Sequence, residues 1–159
     1  GARVIAVARG EDRLTTCRDR GADITVNSAE TKDLRESLLS HGPLDIVYDC
    51  IGGADGLAAQ RCLGPEGRHI LIGFASGALP DLKPNHLMVK NLDIIGVNWS
   101  HYAKHNTDAA RSTVEALLPM LGDGRIKPHI GATYSLADAA KALEHLRRRT
   151  VTGKIIVRP

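Results

Sequence analysis

Arg9 and Arg13 lie four residues apart, just past the run Arg3-Val4-Ile5-Ala6-Val7-Ala8. The run reads as a buried strand, and Arg9-Gly10-Glu11-Asp12-Arg13 as the turn that carries it into a helix. A four-residue step is one helical turn, so both guanidinium groups can face a single phosphate. The competing use is surface charge balanced by Glu11 and Asp12, worth roughly a few tenths of a kcal/mol. In a doubly wound α/β fold, the carboxyl end of such a strand is where the ribose of a dinucleotide rests, and an acid there accepts from a free 2′-hydroxyl. Ala8 and Arg9 occupy that place instead. Arg9, Gly10 and Arg13 therefore predict a 2′-phosphate, and so NADP(H) over NAD(H).

Two more loops have residue types suited to a ligand. Cys50-Ile51-Gly52-Gly53 follows a strand that ends at Asp49, and its glycines let a cofactor ribose approach the backbone closely. Cys50 makes a poor nucleophile, because no base or cationic partner is identifiable. Phe74, the only Phe, falls in the loop Gly73-Phe74-Ala75-Ser76-Gly77, where it suits packing against a ring system. A plain turn onto the sheet edge is the alternative there. His101 and His105 have the spacing of zinc ligands on a helix, but no Glu, Asp or Cys completes a set and Tyr102 and Lys104 are poor metal neighbours. They are expected at the surface, and no metal is expected.

Aromatic residues make up only 3% of the 159, so the core must be built from Val, Ile, Leu and Ala. A formal charge of +3 is too weak to imply nucleic acid. The basic residues are dispersed apart from Arg147-Arg148-Arg149, and no aromatics are interleaved with them as stacking platforms. That triplet fits a solvated helix end, where cations suit the macrodipole. Cys17, Cys50 and Cys62 are odd in number and lack metal spacing, which predicts free thiols in a reducing, cytoplasmic compartment. No apolar run approaches the ~18 residues needed to span a membrane, and no signal peptide is visible. The chain starts at Gly1, not Met, and reads as part of a longer polypeptide.

The elements alternate. Leu14 and Cys17 give a first helix its inner face, and Gly21 is placed to end it. Ile24-Thr25-Val26 is a second strand. Ser28 or Thr31 is expected to cap a helix carrying Leu34, Leu38 and Leu39. Leu44 to Asp49 is the next strand. Leu57, Ala58 and Arg61 to Leu63 are expected in a helix stopped by Gly64-Pro65, followed by a strand from Arg68 to Ile72. A Pro-containing loop over 77–90 leads to Leu92-Asp93-Ile94-Ile95-Gly96-Val97. Two amphipathic helices follow, one with Val114, Leu117, Leu118 and Leu121. The other starts near Ser135-Leu136-Ala137-Asp138, close to a capping box. Lys154-Ile155-Ile156-Val157 closes the chain. This alternation predicts an α/β fold, a Rossmann-type doubly wound and mostly parallel sheet, lacking the first strand and the Gly-rich turn that should grip a pyrophosphate.

The motifs, in order, are Gly1 to Val7, Gly21-Ala22-Asp23, Asp45 to Gly53, Gly67 to Gly77, Lys90-Asn91-Leu92, Gly124-Arg125-Ile126-Lys127-Pro128 and Thr152-Gly153-Lys154-Ile155. Together the set resembles the carboxyl-terminal half of the medium-chain dehydrogenase/reductase superfamily, specifically its zinc-independent NADPH:quinone oxidoreductase branch. The resemblance implies that Arg13 binds the 2′-phosphate and that Ser28 stands at an adenine-side contact. It implies that Cys50, Ile51 and Gly52 border the middle of the cofactor, and that Gly73, Phe74 and Ala75 border the nicotinamide. Arg149 lies where the family tail curls back towards the cofactor, which implies a phosphate contact. Residues 1–124 would form a partial NADP-binding domain, and 125–159 would return to an amino-terminal substrate domain that forms the other wall of the cleft.

The resemblance also implies hydride transfer from NADPH to a quinone or activated alkene, and a homodimer paired through the apolar edge strand 92–97. No proton donor can be named from this chain, which by itself is expected to be inactive. In the usual strand order the missing strand is the central one. Its flanking strands, carrying Ile5 and Val47, are then expected to pair directly, to accept a strand from another chain, or to meet one from the same polypeptide; the last is favoured. A non-enzymatic dimerising or nucleotide-sensing module and a fragment of a zinc-dependent alcohol dehydrogenase are the rival readings. A methyltransferase-like domain would want an acid where Ala8 and Arg9 stand.

Overall fold

Val and Ile dominate the short runs that become strands, and leucines at helical spacing mark the runs that become helices. The computed structural model describes residues 1–159. In chain order the elements are β1 (Ile5–Ala8), α1 (Glu11–Asp19), β2 (Ile24–Asn27), α2 (Leu34–Leu39), β3 (Leu44–Asp49), α3 (Gly53–Gln60), β4 (Leu63–Leu71), α4 (Pro84–Met88) and β5 (Asp93–Gly96). Then come α5 (Trp99–His105), α6 (Thr107–Gly122), β6 (Ile130–Ser135), α7 (Ala139–Arg147) and β7 (Lys154–Arg158).

Every strand pair is parallel, as the alternation of elements predicts. The pairing comes in three pieces: β1 with β2, then β3-β4-β5, then β6 with β7. β1 and β3 are not paired with each other, so the direct closure considered above does not occur. What joins the first two pieces is a small aliphatic core. Val26, Leu38 and Cys62 form its buried centre, with Ile5, Leu34, Leu44 and Ala59 packed around them. The inner faces of α2 and α3 meet there, which fixes the ends of β1 and β3 relative to one another.

Several local expectations are corrected. α3 stops at Gln60, and Gly64-Pro65 lies inside β4 and does not end a helix. Leu44 pairs with Leu63, but Ile46 pairs with Arg68, so residues 64–67 form an outward irregularity in the strand. A proline without an N–H is tolerated at such a bulge. Glu66 takes a left-handed φ of 60° there, with its N–H on the Lys90 carbonyl at 2.7 Å. α2 is capped by Asp33, whose side chain accepts from the Glu36 N–H at 3.0 Å, and not by Ser28 or Thr31. The 77–90 loop contains the short α4, opened by Pro84.

Beyond β5, a third helix, α5, precedes the two expected ones, with Asn98 and Asn106 capping α5 and α6. β6 was not foreseen. Ser135 donates to the Asp138 carboxylate at 2.9 Å and caps no backbone N–H, so α7 begins only at Ala139, after a 3-10 turn.

Candidate functional site

β1 delivers Arg9 and Gly10 to the edge of a cleft of about 310 Å³. Gly10 has a φ of 90°, a backbone state that favours glycine, and its N–H is held by the Asn27 side chain at the end of β2, 3.1 Å away. It precedes α1 without a side-chain cap, which leaves the positive end of that helix facing the cleft. Arg13 lines the same cleft one turn later. So does Arg149, which arrives from the far end of the sequence just past α7. Arg9, Gly10, Arg13 and Arg149, all singled out from the sequence, are therefore brought together.

Their charges are not equally free. Arg9 is in no ion pair. Arg13 donates one N–H to the Arg9 carbonyl at 2.9 Å and another to the Arg149 carbonyl. A guanidinium has five N–H donors, so three remain for an anion. Arg149 sits at a φ of 55°, unusual for a residue with a Cβ, and its N–H closes the end of α7 on the Leu146 carbonyl at 3.0 Å. Glu11 and Asp12 also line the cleft, with Thr150 and Thr152. The Glu11 carboxylate is engaged by Arg18, so three cations face one unpaired acid, Asp12. In the sequence Glu11 and Asp12 read only as balancing surface charge, and Thr150 and Thr152 are not singled out as site residues. Thr150 and Thr152 reach the cleft only because the tail folds back over α1.

The second part of the site lies beyond the carboxyl ends of β3 and β4. Pairing continues past the strand ends through three backbone bonds: Ile72 N–H to Asp49 at 2.7 Å, Ala75 N–H to Cys50 at 3.0 Å and Ser76 N–H to Ile51 at 3.0 Å. The loops holding Cys50, Ile51, Gly52, Gly73, Phe74 and Ala75 are thus one platform. Gly52 has a φ of 70°, and a Cβ there would stand 2.7 Å from the Phe74 ring and 2.8 Å from the Ala78 carbonyl oxygen. Only glycine lets these loops close together. Ile51 and Phe74 are partly exposed on the platform, and Cys50 is an exposed free thiol. The Arg149 guanidinium reaches the Ala75 carbonyl at 3.5 Å, which links cleft and platform.

Ser28 stands apart from this arrangement. Its N–H is on the Ala8 carbonyl at 3.0 Å, and it does not line the cleft. Arg147 and Arg148 are exposed and both donate to Glu144, Arg147 through two N–H groups at 2.6 and 2.8 Å and Arg148 through one at 2.7 Å. A more open hollow of about 570 Å³ beside Tyr134 and His145 is lined by cations that already have partners, Lys141 with Asp138 and Arg148 with Glu144. The rings of His101 and His105 lie tilted to one another on α5, with centres 4.2 Å apart, and no group of three His, Cys, Asp or Glu side chains is placed to hold a metal ion.

Parallel strands alternating with helices, and a site beyond their carboxyl ends, define a Rossmann-type α/β unit. The chain belongs to the zinc-binding dehydrogenase family, whose model matches residues 20–157, and so forms the carboxyl-terminal, cofactor-binding portion of a medium-chain dehydrogenase/reductase. The match begins after Arg9 and Arg13. The chain is 32% identical over 158 residues to quinone oxidoreductase-like protein 2 of Bos taurus, an alignment covering 98% of this chain and 45% of that protein. It also resembles the crystal structure of an NAD-dependent alcohol dehydrogenase, with a TM-score of 0.83 at 27% identity, covering 100% of this chain and 44% of that one. The crystal structure of 2-haloacrylate reductase superposes with a TM-score of 0.82 at 26% identity, covering 100% and 50%. The chain thus spans about half the length of the curated relatives it matches. No helix is long and apolar enough to cross a membrane.

Proposed function

We propose that this chain holds NADP(H) for a zinc-independent, cytoplasmic oxidoreductase that passes hydride to a quinone or an activated alkene. The observation that carries the reading is the cleft in which Arg9, Arg13 and Arg149 converge on the open end of α1. Three guanidinium groups and free helix amides suit a phosphate dianion, and the glycine-lined platform suits a ribose and ring laid across it. Names of relatives such as quinone oxidoreductase-like protein 2 and 2-haloacrylate reductase favour this class of acceptor.

Bound there, the cofactor supplies the hydride, and these residues orient it. The arginine cleft anchors the phosphorylated ribose. Cys50 to Gly52 carry the middle of the molecule, and Gly73 to Ala75 shelter the ring end from water. β5 is the outer strand of its sheet and exposes Ile95 and Val97 nearby. An apolar edge of this kind supports a homodimer built through residues 92–97.

One observation favours a second reading, an NAD(H) enzyme. Asp12 lines the cleft and could accept from an unphosphorylated ribose, and one structural relative is an NAD-dependent alcohol dehydrogenase. Fluorescence titration separates the two. In the protein that carries this chain, Arg9→Asp with Arg13→Ala is expected to raise the Kd for NADPH about a hundredfold and that for NADH about threefold. Equal losses would mean that the arginines are ordinary surface charges, and tighter NADH binding in the parent protein would favour the second reading.

A further inference from the structure

His69 lies in the middle of β4 with no solvent exposure, opposite Val47 of β3. Its Nε2 is 3.1 Å from Oδ2 of Asp49, itself buried. A carboxylate only accepts, so the ring donates. The other ring nitrogen, Nδ1, has no protein partner, which makes Asp49 the sole polar anchor of this side chain. A leucine would fill the same place in the core without an orphaned nitrogen, so packing does not account for a histidine here.

Asp49 spends its remaining oxygen on the platform. Oδ1 accepts from the N–H groups of both Ile51 and Gly52 at 2.8 Å. α3 presses Gly56 against the same carboxylate, so that a Cβ on Gly56 would stand 2.2 Å from Oδ2. The backbone bonds of Cys50 and Ile51 to Ala75 and Ser76 extend the hydrogen-bond network of this one carboxylate to both loops.

We propose that His69 is a positioning residue for the ligand's central and ring-proximal portions: by orienting Asp49, it fixes where the 50–53 turn and the 73–76 loop stand. The proposal rests on the dinucleotide reading above. It predicts a split between two halves of one ligand, because the arginine cleft meets this network only at the 3.5 Å contact of the Arg149 guanidinium with the Ala75 carbonyl.

The test measures two dissociation constants, for NADPH by fluorescence and for adenosine 2′,5′-bisphosphate by calorimetry, with thermal midpoints recorded alongside. His69→Leu is expected to weaken NADPH about tenfold and to leave the bisphosphate within about twofold. His69→Gln, which places an N–H close to where Nε2 stood, is expected to restore NADPH binding to within about threefold of the parent. His69→Asn, whose N–H falls short, is expected to behave like the leucine variant. If the leucine variant does not fold, the comparison of glutamine with asparagine decides the matter. Parallel losses for both ligands, or no loss for either, would overturn the proposal and leave the dinucleotide reading standing. A parent protein that binds neither ligand would remove that reading and the proposal with it.

Discussion

The side chain of Arg13 is hydrogen-bonded to the backbone of Arg149, 136 residues further along the chain. The same guanidinium holds the Arg9 carbonyl, so one planar group braces the turn after β1 against the tail after α7. This bracing needs a fork of N–H donors at fixed angles, which a single ammonium cannot supply. Arg13→Lys should therefore weaken adenosine 2′,5′-bisphosphate binding about fivefold, although the charge is kept. Calorimetric titration of parent and variant at one salt concentration checks this, and unchanged affinity would mean that charge alone matters.

Arg149 holds a left-handed position at the end of α7 that glycine would occupy without strain. Arg149→Gly should raise stability by about 1 kcal/mol, because the cost of a Cβ in this conformation disappears. It should also weaken the bisphosphate, because a cleft cation is lost. Urea unfolding and calorimetry on one preparation would reveal whether the two effects have opposite signs.

Gly52 and Gly122 should respond to alanine in opposite directions. At Gly52 the φ of 70° and the nearby Phe74 ring and Ala78 carbonyl leave no room for a methyl group, and a loss of about 2–3 kcal/mol is expected. Gly122 is the last residue of α6, with nothing within 4 Å of an added Cβ, and alanine should gain about 0.5–1 kcal/mol. Chemical denaturation midpoints give both signs.

Gln60 ends α3 with no exposure, and both polar atoms of its amide lack protein partners. Burying an amide in this way is costly, so the similarly sized Gln60→Met should stabilise the fold by about 1–2 kcal/mol. A lower melting temperature in the variant would contradict this.

Hydrogen bonds from Arg147 and Arg148 hold the Glu144 carboxyl below the usual carboxylate range. Its contribution is therefore present above the unfolded-state value and lost as pH falls through the lowered folded-state value. Glu144→Gln should melt below the parent at neutral pH and together with it in strong acid. High salt should narrow the neutral-pH gap, because all three groups are exposed.

The cleft could be read in the sequence because it depends on local geometry: a strand end followed by arginines one helical turn apart. The Gly52 and Phe74 loops were visible for the same reason, each following a clear apolar strand. Ser28 is expected from the sequence as a cap for α2, but Asp33 lies next to the helix and takes that role. Asp49 and His69 are twenty residues apart on neighbouring strands, and only the β3–β4 register brings them together. β6 alternates Ile130, Ala132 and Tyr134 with Gly131, Thr133 and Ser135, but the run is short and contains a glycine, and its partner β7 comes nineteen residues later. Gly64-Pro65 looked like a stop because sequence alone does not distinguish a strand bulge from a helix end.

The strand ladders of β1–β2, β3–β4–β5 and β6–β7 share no inter-strand hydrogen bond. Local opening of one therefore need not break the backbone bonds of another. Amide hydrogens should accordingly exchange with solvent in three groups with separate rates, slowest in the middle ladder, where β4 is flanked on both sides.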